Sequence, residues 1–568
     1  TGPMHIYLRP LMVMNPDGTG QRAVYGSNSY WPNALYFPRG IPDAPGKIIA
    51  IIAGYHGVPR MGELGLFDTT KGWHEAAGVV QKIPGRGKPV QTVIRDNLVD
   101  KSWPKFLHPY PLSDKYFLVA SQPDNKSPWG IYLVDVFDNM LPIIVQPKFD
   151  FFEPIPLAKT QRPPIIPDRV DLQRDDAVVY IDDVYAGPGL AGVPRGAVKK
   201  LRILAYHFGY PGMAGPDQVG CGGPWEVMRI LGTVDVREDG SAMFIVPANT
   251  PLSVQPLDAE GKAVQLMRSW FTAMPGETVS CVGCHEQPKN IPTLRQRLAA
   301  TRPAQSIQPW YGPPRGLDFE RDVQPVLDEY CAGCHDGSTH QAGQRTLDLR
   351  AERYVKDYRG RELTKLGADR LHPVVREAFG GTRIKYTPAY EALIPYIRRV
   401  NVEDHVGLLV PGEYHADTSE LIQMLSKGHY NVQLNQEAWD RLVTWIDLNG
   451  PCHGTWGDVG PIPEGAARRR RELRQLYGGP KDDPEAIPEV PRPRIEPIRV
   501  AGRVAGIPST SSGQALPAIR GRDALDTRDA LDTYSLDAAQ ARLRQSTDGG
   551  PLAKTIDLGG GVTVKLVR

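Results

Sequence analysis

Two pentapeptides in this chain combine cysteine and histidine in the pattern that attaches haem to protein. Residues 281–285 read CVGCH and residues 331–335 read CAGCH. In such a CxxCH motif the two thiols bond to the vinyl groups of a haem, and the histidine ligates the iron. The sequence therefore predicts two covalently bound haem c groups, held by Cys281, Cys284 and His285 and by Cys331, Cys334 and His335.

A redox dithiol and a zinc site are the competing interpretations of each motif. A thioredoxin-like CxxC does not need the histidine that follows both pairs here. A four-cysteine zinc site has its pairs about 15 to 20 residues apart, and the gap between these two pairs is longer. Haem attachment is the interpretation that uses every residue of both motifs.

The residue on the far side of each haem decides what the iron can do. A second histidine or a methionine fills the sixth position, whereas an empty face lets small molecules bind. For the second haem the candidates are His429, His415 and Met424. We favour His429, because it follows a glycine between two predicted helices and its side chain can turn inward. Met424 can equally be a core residue, and His415 a solvated loop residue.

The first haem has no evident distal ligand nearby in the sequence. His207 and Cys221 are the conspicuous candidates upstream. A lone histidine at a strand end is more often structural, and a lone cysteine among glycines is more often buried and inert. Cys452 is left as a free thiol or as the partner of Cys221 in a disulfide. The sequence assigns no catalytic residue.

The order of predicted elements indicates a multidomain protein with a β-rich N-terminal part. The 54 prolines and 58 glycines point to many turns. Residues 1–150 contain short strands between Asp, Asn, Gly and Pro turns, and predict a partial β-propeller of about two blades; a small β-sandwich is the alternative. Residues 151–312 predict a β-rich middle domain that carries the first motif.

An α-helical cytochrome c-like domain is predicted for residues 313–457. Apolar residues at helical spacing after a possible Asp318 cap lead to the second motif, and Pro325 either kinks that helix or makes it start late. Asn435 caps a further amphipathic helix. Residues 458–550 predict a Pro- and Arg-rich linker that starts with a basic helix and contains a repeated RDALDT. Residues 551–568 predict a strand pair that begins a truncated further domain.

Charge and hydropathy limit the partners and the compartment. A net charge of +2 creates no field that would attract nucleic acid, and no run of about 18 apolar residues predicts a transmembrane segment. Covalent haem attachment takes place outside the cytoplasm, so we expect an exported, periplasmic protein. The chain opens on Thr-Gly-Pro without a leader, and we interpret its N-terminus as processed or truncated, with the remaining blades upstream.

A family resemblance is carried by residues 239–258, by Pro275-Gly276-Glu277 and by the CVGCHE that follows. This text resembles the middle domain of the hydrazine synthase alpha subunit, and the order of domains over roughly residues 1–456 is similar. The resemblance implies a propeller and an active-site haem in the middle domain. It also implies a C-terminal haem that relays electrons and has His335 and His429 as its two ligands.

One departure from that family bears on the reaction. In the family a tyrosine shortly after the first motif ligates iron, and the motif histidine binds zinc. Here residues 286–289 read EQPK and the next tyrosine is Tyr311. We therefore expect His285 on the iron and a reaction other than hydrazine formation. The tail from Ile556 resembles the opening of a formylglycine-generating-enzyme-type (sulfatase-modifying factor) domain.

The prediction for function is an exported dihaem c-type cytochrome. Its second haem exchanges electrons with the first, where small-molecule redox chemistry is possible, and its partner is a redox protein or a small-molecule substrate. The alternative is a binding or scaffold protein whose propeller recognises a ligand and whose haems serve electron transfer only.

Overall fold

The structure is a computed structural model of the 568-residue chain. It describes residues 10–26, 31–54, 60–73, 75–93, 97–159, 162–215, 218–285, 295–339, 346–351, 386–400 and 408–489, and the backbone of 555–557 and 563–565. Over these residues the protein is β-rich, with several sheets and few helices.

The N-terminal region consists of a hairpin and two four-stranded antiparallel sheets whose strands lie side by side in chain order. The strands are β1 (Leu11–Val13) and β2 (Arg22–Tyr25) in the hairpin, β3 (Ala34–Gly40), β4 (Lys47–Ala53), β5 (Glu63–Asp68) and β6 (Val79–Ile83) in the first sheet, and β7 (Lys105–Pro111), β8 (Tyr116–Gln122), β9 (Gly130–Asp135) and β10 (Met140–Ile144) in the second. Ile49, Leu64, Phe106 and Phe117 join both sheets in one core. The predicted short strands are confirmed, and the sheets of the described residues close no ring.

The middle region contains a five-stranded and a three-stranded sheet. The strands are β11 (Asp176–Ile181), β12 (Lys200–His207), β13 (Val227–Asp235), β14 (Ala242–Pro247), β15 (Pro251–Leu257), β16 (Phe271–Thr272), β17 (Thr278–Cys281) and β18 (Arg315–Gly316). The larger sheet has the order β16-β15-β12-β13-β18 and the smaller β14-β11-β17. β11 and β17 run parallel, with Ile181 opposite Cys281. Val179, Ile203 and Phe244 lie in the shared core.

A helical region follows. Its helices are α1 (Gln324–Tyr330), α2 (Pro388–Leu393), α3 (Glu420–Ser426), α4 (Gln436–Asp447), α5 (Trp456–Val459) and α6 (Ala466–Leu476). Asp318 accepts a hydrogen bond from the Arg321 N–H at 3.0 Å, and a π-helical turn leads into α1, which has Pro325 in its first turn. Of the two predicted alternatives, the late start is correct. The first turn of a helix tolerates proline, because the N–H groups of that turn have no partner within the helix.

The amphipathic helix predicted after Asn435 is α4. The Asn435 side chain accepts a hydrogen bond from the Ala438 N–H at 2.9 Å, which satisfies one of the first-turn donors. Leu442, Val443 and Ile446 are buried in the helical core, as the apolar periodicity predicts. None of the helices in the described part of the chain is long and apolar enough to cross a bilayer.

The basic helix predicted near residue 468 is α6, but one of its arginines is partly buried. The Arg470 guanidinium lies 3.9 Å from the centre of the Tyr210 ring and donates a hydrogen bond to the Gly209 carbonyl at 2.9 Å. The chain therefore packs on the middle region after residue 458, where the sequence predicts a linker. Residues 490–550, with the repeated RDALDT, lie outside the described residues. The predicted final strand pair is present as β19 (Thr555–Asp557) and β20 (Thr563–Lys565).

Candidate functional site

The second CxxCH motif lies directly after α1. The Cys331 N–H donates a hydrogen bond to the Leu327 carbonyl at 2.8 Å, and the His335 N–H donates to the Cys331 carbonyl at 2.9 Å, so the motif is wound into a tight turn. Burial raises the pKa of the Cys331 thiol to about 12, and the neighbouring Cys334 adds to this rise. A reactive dithiol needs a lowered pKa, so this environment argues against the redox-dithiol interpretation.

His335 and His429 lie next to each other. Their ring centroids are 5.8 Å apart and their planes are inclined by 25°. Gly428, with φ of 90°, ends α3 and turns the chain before His429, as the predicted glycine stop requires. Two imidazoles that bind one metal ion from opposite sides, each through a nitrogen at about 2 Å, have centroids about 6 Å apart. The pair therefore has a spacing that fits a bis-histidine iron site.

The other two candidates for the second haem have different surroundings. The Nε2 atom of His415 lies 2.9 Å from the Asp258 carboxylate, and its Nδ1 atom accepts a hydrogen bond from the Asp417 N–H at 3.3 Å. The hydrogen bond to Asp258 raises the pKa of His415. Met424 packs against the helical core. Of the three candidates, the structure brings His429 to His335.

The first motif begins at the end of β17. The Asp182 N–H donates a hydrogen bond to the Cys281 carbonyl at 2.9 Å, and the Gly189 N–H donates to the Cys284 carbonyl at 3.1 Å. The motif is therefore bound to the segment that leaves β11. A Cβ on Gly283 would lie 2.6 Å from the Asp183 carbonyl oxygen and closer to that of Ala186. This packing requires glycine at the centre of the first motif.

Substitution of Gly283 by alanine is expected to lower the free energy of unfolding by about 1–3 kcal/mol, because the new Cβ overlaps backbone oxygen atoms of the segment that leaves β11. Gly333 has the same place in the second motif. Apart from Gly333 and its two chain neighbours, no atom of the described residues lies within 4 Å of the position a Cβ would take there. Gly333→Ala is therefore the matched control. Urea denaturation of both variants measures the difference, and equal losses of stability would contradict the packing described.

A cavity of about 400 Å³ lies beside the first motif. Cys281, Cys284 and His285 line one part of it. The other walls are mostly apolar and include Val254, Pro256, Met267, Arg268, Leu408 and Leu409. A volume of this size is within the range of small-molecule sites. Because Leu408 and Leu409 precede α3, the cavity lies where the middle and helical regions meet.

The segment 265–269 was not identified from the sequence, although it forms a wall of this cavity. The Gln265 amide donates to the carbonyls of Gly189 and Leu409, both at 2.8 Å, and the Ser253 hydroxyl donates to the Met267 carbonyl at 3.1 Å. These bonds hold the segment between the two regions. The sequence feature that could have identified this wall is Met267, which carries a thioether and precedes the first motif by a short distance.

His207 and Cys221, the candidates for the first haem, do not line the cavity. The His207 Nε2 atom contacts the Glu485 carboxylate, and its Nδ1 atom lies 3.3 Å from the Arg470 guanidinium, so both ring nitrogens are engaged. Burial lowers the pKa of His207. Cys221 lies in the helical core and is not joined to Cys452 by a disulfide.

The zinc alternative also has a geometric test. In the described part of the chain, which contains both CxxCH motifs, no three His, Cys, Asp or Glu side chains come together as a metal site requires. The two CxxC pairs therefore do not converge on a shared zinc site.

Comparisons with known proteins place the first motif within a recognised domain. Residues 196–286 match the family model of the hydrazine synthase alpha subunit middle domain. The hydrazine synthase subunit alpha of Kuenenia stuttgartiensis is 24% identical over a match that covers 19% of this chain and 20% of that protein. The solved hydrazine synthase of the same organism superposes with a TM-score of 0.48 and 16% identity, over 78% of this chain and 65% of that one. Each match spans less than two thirds of the relative.

Proposed function

We propose that this chain, which is hydrazine synthase alpha-like in its middle domain, is an exported dihaem c-type cytochrome. Cys281, Cys284 and His285 would hold one haem, and the residues from Cys331 to His335, with His429, would hold the other. Bound haem supplies one-electron transfer at its iron and, where the sixth position opens, binding of a small molecule.

The proposal rests on one observation, the proximity of His335 and His429. The two residues are far apart in the sequence, and a glycine turn after α3 sets the second ring 5.8 Å from the first. Two histidine ligands leave no position for substrate, so this site suits electron transfer. The helical region around it corresponds to the proposed cytochrome c-like domain.

The first site differs in what its protein walls can do. The cavity has mostly apolar walls, and Arg268 is the permanently charged side chain among its described lining residues. One segment connects the two sites, since Leu408 and Leu409 line the cavity and His429 follows on the same stretch of chain. We propose that electrons pass between the second site and this cavity, where the small-molecule reaction takes place. With His285 as an iron ligand, that reaction is one other than hydrazine formation.

The N-terminal sheets fit the proposed partial propeller, because each has four antiparallel strands in chain order, as a propeller blade does. The periplasm is the proposed compartment, since the haems would be attached there. The relative in Kuenenia stuttgartiensis is named as a subunit, and we propose that this chain likewise has partner subunits or a redox partner.

The alternative function, a binding protein whose haems only transfer electrons, is favoured by a second cavity. This cavity of about 570 Å³ lies in the N-terminal region and is lined by Lys82, Arg86, Lys88 and Trp103, among others. A carbon monoxide difference spectrum of the reduced protein separates the two functions. Binding at the first haem supports chemistry there, and no binding at either haem supports the alternative.

Removal of the cysteines of one motif should remove one haem and leave the other. The pyridine haemochrome spectrum of the full chain, matured in the periplasm, is expected to give two haems per chain. The pair Cys281→Ala with Cys284→Ala, and the pair Cys331→Ala with Cys334→Ala, should each give one. Each double variant is the control for the other. Two haems remaining in either would contradict the assignment of that motif.

A further inference from the structure

We propose that the thioether of Met267 is the exchangeable sixth ligand of the haem at the first motif. This inference rests on the proposed function, because it requires a haem in the cavity. It supplies the distal ligand that the sequence leaves open.

The polar lining residues near Met267 are Gln265, Arg268 and Ser269. A serine hydroxyl is not among the usual axial ligands of haem iron, and the other two are poor iron ligands. The Gln265 amide is fully used, since its nitrogen donates to the carbonyls of Gly189 and Leu409 and its oxygen accepts from the Leu266 N–H at 2.9 Å. Arg268 has no lone pair to offer, because a guanidinium stays protonated. Methionine sulfur is a known axial ligand of c-type haem iron. Outside the motif, Met267 is therefore the described lining residue best suited to the iron.

The backbone around Met267 is fixed, and its side chain is adaptable. The Ser253 hydroxyl, on buried strand β15, donates to the Met267 carbonyl at 3.1 Å, and Gln265 anchors the same segment two residues earlier. The Met267 side chain is half-buried at the cavity wall. Methionine has three rotatable bonds beyond its backbone, so it can bind a metal and also swing away. A held backbone with a mobile thioether is suited to a ligand that a substrate displaces.

A methionine ligand would set the direction of electron flow. A haem iron with one methionine and one histidine ligand has a higher reduction potential than a haem iron with two histidine ligands. The first haem would then have a higher potential than the bis-histidine haem held by His335 and His429. Electrons would therefore run from the second site to the first.

The test uses conservative substitutions of two methionines in the full, haem-loaded chain. Met267→Leu keeps the side-chain volume and removes the sulfur. It should abolish the far-red sulfur-to-iron charge-transfer band of the oxidised protein. It should also raise the rate of carbon monoxide binding to the reduced protein at least about tenfold, because no ligand has to leave the iron first. Met424→Leu, in the helical core, is the matched control and should change neither signal.

Each outcome has a defined meaning. Loss of the band in Met267→Leu alone supports the proposal, and Met267→His should lower the potential of one haem while the other stays unchanged. A band that persists in Met267→Leu, or that is absent from the unaltered protein, overturns it. Fewer than two haems per chain in the pyridine haemochrome spectrum would instead contradict the proposed function, so the two failures are distinguishable.

Discussion

Replacing Asp447 by alanine is expected to lower the free energy of unfolding by about 3–5 kcal/mol, because it would leave the Arg202 guanidinium charged and buried without its partner. Arg202, on β12, donates a hydrogen bond to Asp447 at 2.8 Å, and both side chains are buried. The same guanidinium donates to Gln255 at 2.9 Å and to Thr444 at 3.0 Å. Denaturation by urea, followed by circular dichroism, measures the loss.

Arg202 and Asp447 join the two regions that carry the motifs. Asp447 is the last residue of α4 and also accepts a hydrogen bond from the Ala263 N–H at 3.0 Å, just before the segment that lines the cavity. Burial raises the pKa of Asp447, and the charge of Arg202 opposes that rise. Loss of this contact should therefore let the helical region unfold separately, and Asp447→Ala should show two transitions where the unaltered chain shows one.

The matched control is an exposed ion pair that also joins an arginine to a carboxylate. Arg468 and Glu472 lie 2.9 Å apart on α6, with both side chains largely exposed. Glu472→Ala should change the free energy of unfolding by less than about 1 kcal/mol. The double variant Arg202→Met with Asp447→Leu removes both charges and should recover much of the stability lost by Asp447→Ala. A loss below about 1 kcal/mol in Asp447→Ala would refute the role given to this pair.

Local features of the fold were predictable because their causes are local. The apolar run at β4 and the Asn435 cap of α4 depend on neighbours within a few residues, and the structure has both. The motif at residue 331 follows a helix for the same reason. Turn residues such as Gly428 act on their own backbone, so a glycine stop could be identified without knowledge of the fold.

Contacts between distant residues could not be predicted in the same way. Arg202 and Asp447 are 245 positions apart, and His207 and Glu485 are 278 positions apart. No periodicity or spacing connects such partners, so the role of His207 was open until its partners were known. The cavity wall at Met267 was missed for a different reason: Met267 is close to the first motif in sequence, but only the fold shows that both line one cavity.

Replacing His429 by alanine is expected to open the second haem to external ligands. The imidazole of His429 is the one that the structure sets beside His335, and alanine leaves nothing in its place that can bind iron. The oxidised and reduced spectra should change from the six-coordinate to the five-coordinate or water-bound type, and carbon monoxide should bind to a haem that excluded it before. The haem count should stay at two, because the thioether bonds of Cys331 and Cys334 do not involve His429.

His415→Ala is the control for this change. His415 was also a sequence candidate, but its ring is bound to Asp258 and Asp417. Its removal should weaken the contact between the middle and helical regions without altering either haem spectrum. If His429→Ala leaves the spectra unchanged, or if His415→Ala alters them, the ligand assignment fails. If the ligand assignment holds, residues outside the two similar motifs decide what each haem does. A histidine after a glycine turn suits the second haem to electron transfer, and a mostly apolar cavity suits the first haem to binding a small molecule.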